Sequence, residues 1–125
     1  FSAATWHKDF EDHFIVLPQI ETRVGLENLA DIANHELTTA MAIGPYDLSA
    51  ELGVCGEMTS PVLREALMRI RAAGDAVGKA TWMIGANAAA LVQDGWRFLC
   101  IGEPTWILMA ALRDKVAQAK KALDQ

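Results

Sequence analysis

Phe14-Ile15-Val16-Leu17-Pro18-Gln19-Ile20-Glu21-Thr22 and, further along, Ala40-Met41-Ala42-Ile43-Gly44-Pro45-Tyr46-Asp47-Leu48-Ser49 are the stretches whose reading decides the fold. Each is an apolar run closed by a polar tip, the pattern of a parallel strand buried on both faces. That reading places two acids, Glu21 and Asp47, at the tips of consecutive strands. Two carboxylates held on rigid elements suit a hard divalent cation.

The same alternation continues outward from these runs. Thr22 is placed to cap a helix whose apolar positions Leu26, Leu29, Ile32 and Ala33 follow helical spacing. Ser60-Pro61 marks a second helix start, with Leu63, Leu67, Ile70 and Gly74 on one face and Gly78 at its end. Ala80-Thr81-Trp82-Met83-Ile84 reads as a third strand, Asn87 to Gln93 as a short helix, and Phe98-Leu99-Cys100-Ile101 as a fourth strand closed by Gly102. A last helix runs from about Thr105 to about Ala122, with Lys115, Lys120 and Lys121 toward the end where the helix dipole favours cations.

Four strands, each followed by a helix, imply an α/β unit of parallel strands with right-handed crossovers. A full (β/α)₈ barrel needs roughly 250 residues, so four repeats in 125 residues make half of one. The chain reads as one half-barrel unit over residues 1–125. Residues 1–12, with Trp6 and Phe10 at helical spacing, form the end of a preceding helix or loop; residues 13–104 hold the four repeats and 105–125 the C-terminal helix.

A net charge of −5, a pI near 5.1 and no basic run beyond Lys120-Lys121 argue against nucleic-acid or anionic-membrane binding. The hydrophobic share of 52% and mean hydropathy of +0.16 are high for a small domain. They predict apolar surface buried against something outside this sequence. Cys55 and Cys100 lack metal-ligand spacing and read as free thiols in a reducing cytoplasm. No apolar stretch approaches the ~18 residues of a membrane helix, and no basic region precedes a signal core. The chain opens on Phe1 rather than Met, as a piece of a longer polypeptide would. No Ser/His/Asp order, phosphate loop or dinucleotide glycine pattern is present.

The segments Pro18-Gln19-Ile20-Glu21-Thr22, Leu26-Glu27-Asn28-Leu29, Ile43-Gly44-Pro45-Tyr46-Asp47-Leu48-Ser49, Leu52-Gly53 and Gly78-Lys79 resemble the C-terminal half of the HpcH/HpaI aldolase family, the metal-dependent class II pyruvate aldolases. The likeness runs from about residue 13 to 120, more weakly at Phe98 to Gly102. It implies that Glu21 and Asp47 bind a divalent metal, Mg²⁺ or Mn²⁺, with Co²⁺ or Zn²⁺ also serving. It implies that Gln19 is a catalytic residue beside the metal and that Gly44, Pro45, Tyr46 and Asp47 form the substrate-binding turn. Backbone amides around Tyr46 and Asp47 would receive the carboxylate of pyruvate, and Ile84 would stand at the mouth of the pocket. The reaction implied is cleavage of a 2-keto-4-hydroxy acid to pyruvate and an aldehyde. The resemblance also implies a homo-oligomer, commonly a hexamer, whose last helix is exchanged between neighbours. Ile107, Leu108, Met109 and Leu112 would be its docking stripe.

Two segments depart from the family pattern. Pro18 stands where an aliphatic residue is usual, removing a ladder donor, and Gly102-Glu103-Pro104-Thr105 alters the last loop. The general-base His and the enolate-stabilising Arg of the family come from N-terminal strands, and neither His7 nor His13 stands in a matching motif. A citryl- or malyl-CoA-type lyase, which shares the acids, is one alternative. A non-catalytic half-barrel that assembles with a partner chain is another, because an open sheet edge needs covering. Asp31 and Asn34-His35-Glu36 read as solvated surface, and Trp82 and Trp106 as core aromatics.

Overall fold

Parallel pairing organises the apolar runs into one sheet in the computed structural model, which describes residues 14–85 and 87–123. The helix or loop expected over residues 1–12 lies outside the described residues, as do His7 and His13. Strands β1 (Gln19–Ile20), β2 (Met41–Ile43), β3 (Thr81–Ile84) and β4 (Phe98–Cys100) lie side by side in chain order, each parallel to the next. Helices follow every strand: α1 (Arg23–Glu27) and α2 (Leu29–Asn34) after β1, α3 (Pro45–Glu51) and α4 (Pro61–Ala76) after β2, α5 (Ala88–Gln93) after β3, and α6 (Pro104–Leu123) after β4.

The register separates the two faces of the sheet. Gln19 aligns with Ala42, Ala42 with Trp82 and Trp82 with Phe98, so these four share one face. Alternation sends Ile20, Met41, Ile43 and Met83 to the other face, where they join Leu63, Ala66 and Ile70 of α4 and Leu26, Leu29 and Ala33 of α1 and α2 in the core. The spacing of Leu63, Ile70 and Gly74 thus serves the purpose read from sequence, with Ala66 completing the buried face.

Three local readings are corrected by the structure. The first strand falls on Gln19–Ile20 and not on Phe14–Leu17. Pro18 accepts from Ala42 N–H at 3.0 Å but has no N–H of its own to donate, and Phe14, Ile15 and Val16 lie exposed on the outer edge. The single helix expected after Thr22 is broken at Asn28, whose φ of −106° and ψ of 20° leave the helical region. Ser60 precedes Pro61 at the start of α4 as expected, yet its hydroxyl makes no cap bond.

Close approaches fix the lower end of the sheet. A Cβ on Gly74 would meet Lys79 O at 2.7 Å and Thr81 Oγ1 at 2.8 Å, so glycine lets α4 lie directly on the start of β3. Lys79 Nζ donates to Ala33 O at 2.6 Å and His35 O at 2.9 Å, closing the C-terminal end of α2. Helix α6 stands apart: none of its residues is buried, and Ile107, Leu108, Met109, Leu112 and Val116 are all exposed. No described helix is long and apolar enough to cross a membrane.

Candidate functional site

The C-terminal ends of β1 and β2 bring the first signature against the second. Ile20 pairs with Ile43, and Gly44 N–H donates to Ile20 O at 3.2 Å, which carries the ladder one residue past β2. Glu21 therefore sits beside Gly44. Gln19 Nε2 donates to Glu21 Oε2 at 2.8 Å, so the carboxamide holds the carboxylate in place. Thr22, next in sequence, turns the chain into α1 by accepting from Gly25 N–H at 3.0 Å.

Gly44 is the floor of this arrangement. A Cβ there would lie 2.5 Å from Glu21 Oε2, 2.7 Å from Gln19 Nε2 and 3.0 Å from Glu21 Cβ. No side chain other than hydrogen leaves the room that Gln19 and Glu21 occupy. Gly44 is also the N-cap of α3, with Pro45 at the first helical position and Asp47 in the first turn. The sequence reading treated Gly44 to Asp47 as a turn; it is the opening of a helix. Its first N–H groups have no intrahelical partner by geometry, and the glycine cap offers no side chain to them.

Exposure divides the site into a seat and a rim. Gly44 and Pro45 are buried, Glu21 is half-buried, and Gln19, Tyr46 and Asp47 are exposed. The Tyr46 ring meets the edge of Trp106 from α6, with centroids 6.4 Å apart and an interplanar angle of 72°. This contact brings the start of α6 to the same end of the sheet, and it leaves Trp106, read from the sequence as a core aromatic, half exposed at the surface. Ile84 closes β3 at that end; alternation from Trp82 puts it on the Gln19 face. It also borders, with Pro45, Tyr46 and Asn87, a cavity of about 430 Å³ that runs down between α4 and α5 to Leu63 and Leu91.

The structure thus gathers Gln19, Glu21 and Gly44 into direct contact and sets Pro45, Tyr46 and Asp47 on the adjoining helical turn. Ile84 stands one strand away. Among the described residues, no group of three or more His, Cys, Asp or Glu is placed to hold a metal ion. Glu103, at the same end of the sheet, is used otherwise: Trp106 N–H and the Thr105 hydroxyl donate to its carboxylate at 3.1 and 3.0 Å, opening α6. The Thr105 N–H above all holds the Glu103 carboxyl below its ordinary value, outweighing partial desolvation. Cys55 and Cys100 are free thiols.

Ser49 is the residue that sequence reasoning left without a role. It is fully buried, donates to Tyr46 O at 2.6 Å and accepts from Gly56 N–H at 2.9 Å. Its position three residues after Tyr46, with glycines following at 53 and 56, was the available signal.

Comparison with known proteins agrees with this fold. Residues 8–109 match the family described as HpcH/HpaI aldolase/citrate lyase. The chain is 34% identical over 119 residues to 4-hydroxy-2-oxo-heptane-1,7-dioate aldolase of Salmonella arizonae, covering 85% of this chain and 44% of that protein. It is 32% identical over 126 residues to hydroxypyruvate/pyruvate aldolase of Pseudomonas aeruginosa, covering 95% and 46%. Among solved structures, a family protein from Burkholderia cenocepacia J2315 superposes with a TM-score of 0.84 at 24% identity, over 93% of this chain and 46% of that one. The fold is that of half a (β/α)₈ barrel, and the chain spans about half the length of the curated relatives it matches.

Proposed function

Because the chain belongs to the HpcH/HpaI aldolase/citrate lyase family, we propose that it supplies the metal-holding half of a carbon-carbon lyase site. The reaction is cleavage of a 2-keto-4-hydroxy acid to pyruvate and an aldehyde. The observation that carries this reading is the packing of Gln19 and Glu21 over the bare Gly44, at the root of the turn that bears Asp47.

The donor set fits a hard divalent cation. Two carboxylates from adjacent elements leave the remaining positions to water and substrate oxygens, the manner in which Mg²⁺ is usually held. Mn²⁺ suits the same oxygen donors, and Co²⁺ or Zn²⁺ are the further candidates. When bound, the ion acts as a Lewis acid toward the charge that develops on the keto oxygen as the C–C bond breaks. Glu21 and Asp47 hold it. Gln19 fixes the Glu21 carboxylate through its 2.8 Å hydrogen bond. The open N–H groups at the start of α3, around Tyr46 and Asp47, receive the pyruvate carboxylate, while Ile84 and the Tyr46 ring bound the space beside it. The general base and the enolate-binding cation come from outside the matched motifs of this chain.

The bare apolar side of α6 supports exchange of that helix between copies in a homo-oligomer, with a hexamer as the assembly. Outer edges at β1 and β4 are where further strands of a whole barrel would add. The test is a Mn²⁺ titration of the chain and its Glu21→Ala and Asp47→Ala variants. It is paired with pyruvate release from free 2-keto-4-hydroxy acids by the polypeptide that contains the chain. Loss of binding in both variants and metal-dependent pyruvate release support the proposal. Parental binding in the variants refutes the site, and turnover of CoA thioesters alone moves the reaction to the citryl- or malyl-CoA branch.

A further inference from the structure

We propose that Ser49 is a positioning residue: its buried hydroxyl locks the peptide plane between Tyr46 and Asp47 and ties it to the Gly53–Gly56 turn, so metal site and turn respond together. The inference rests on the reading of Asp47 as a metal ligand and assigns a residue that acts through it.

The geometry is specific. The Tyr46 carbonyl and the Asp47 N–H belong to one rigid peptide unit. A 2.6 Å hydrogen bond from Ser49 Oγ to Tyr46 O therefore sets the direction of the Asp47 N–H and the base from which the Asp47 side chain projects. Serine bonding back to a carbonyl within its own helix commonly bends it, here in the first turn of a seven-residue helix.

The same hydroxyl accepts from Gly56 N–H at 2.9 Å, while Ser49 O accepts from Val54 N–H at 2.9 Å. Gly56 has φ of +75°, a conformation that glycine adopts without strain. Ser49 is 0% exposed, so no solvent replaces either hydroxyl bond once the oxygen is removed. An alanine leaves the Tyr46 carbonyl and the Gly56 N–H without the partner that now joins them.

The experiment measures Mn²⁺ affinity of the full chain by electron paramagnetic resonance for the parent, Ser49→Ala, Asp47→Asn and Thr38→Val. Thr38 supplies the control because it too is buried, and its hydroxyl donates to Ile32 O at 2.8 Å ahead of β2, whereas Gly44 and Asp47 follow that strand. Ser49→Ala is expected to weaken Mn²⁺ binding about tenfold, and Thr38→Val to lower the thermal midpoint with parental affinity. In the parent chain, Mg²⁺ saturation is expected to slow hydrogen exchange of the Gly56 amide, a readout that requires no variant to fold. Parental affinity in Ser49→Ala, or a Gly56 amide indifferent to bound Mg²⁺, overturns the proposal while leaving the metal site standing. Parental affinity in Asp47→Asn overturns both.

Discussion

Replacing Gly44 with alanine tests how the seat of the site is built. The backbone at Gly44, φ −97° and ψ 81°, has negative φ, so the substitution acts through contact and not through a left-handed torsion. The new Cβ meets Glu21 Oε2 at 2.5 Å, Gln19 Nε2 at 2.7 Å and Glu21 Cβ at 3.0 Å. The first two atoms end flexible side chains and can swing away; the third lies close to the backbone and cannot move far. Overpacking costs ~1–3 kcal/mol, and relief by the two side chains places Gly44→Ala near ~1 kcal/mol in stability. That corresponds to about 4 °C in thermal midpoint. The larger effect falls on the displaced Glu21 carboxylate, which loses both its position and the 2.8 Å bond from Gln19. Mn²⁺ affinity is expected to fall about tenfold, as a loss of ~1.4 kcal/mol produces. Calorimetric titration of parent and variant reads the affinity, and differential scanning calorimetry reads the midpoint. A variant with parental affinity and parental midpoint refutes the packing argument.

Three further outcomes follow from the scaffold. Gly74→Ala drives a Cβ onto the Lys79 carbonyl, a backbone atom that cannot yield; a loss of ~1–3 kcal/mol in urea unfolding is expected to outweigh the ~0.5–1 kcal/mol that alanine gains within a helix. Lys79→Met removes the two bonds that close α2 and is expected to cost ~1–2 kcal/mol by the same assay, with Mn²⁺ affinity at the parental value. The Glu103 carboxyl is held below its ordinary value in the folded chain, so its stabilisation of the α6 start is present above the unfolded carboxyl's pKa and is lost as pH falls through the lowered one. Helical circular dichroism and Trp106 fluorescence are expected to report that loss on acidification, and Glu103→Gln to flatten it.

Much of this molecule was legible because its signals are local. The runs Phe14–Leu17, Ala40–Ile43, Ala80–Ile84 and Phe98–Ile101 are short, apolar and followed by proline or glycine; the last three contain β2, β3 and β4 in the order read, and the first leads into β1. Leu63, Ile70 and Gly74 fell on the buried face of α4 because helical spacing leaves little choice once Pro61 starts the helix. The placement of β1 was missed because apolarity alone does not fix a ladder. Phe14 to Val16 lie on an outer edge, and the missing N–H at Pro18 delays regular pairing to Gln19.

The candidate site was legible in its residues but not in its contacts. Gln19 and Glu21 were named separately, whereas their hydrogen bond and their joint packing on Gly44 depend on the register between β1 and β2. Ser49 was hard to read because its partners are backbone groups, Tyr46 O and Gly56 N–H, so its trace in the sequence is limited to its spacing from Tyr46 and from the glycines at 53 and 56. The Tyr46–Trp106 contact joins residues from α3 and α6 and follows from the fold alone.

The central claim is that one divalent ion sits between the end of β1 and the first turn of α3. Paramagnetic broadening of backbone amide resonances by Mn²⁺, added well below one equivalent, tests it most directly. Broadening centred on Glu21, Gly44 and Asp47, and reversed by excess Mg²⁺, is the predicted result. Broadening centred elsewhere, such as at Asp31 and Glu36, with Glu21 and Asp47 still sharp, would contradict it.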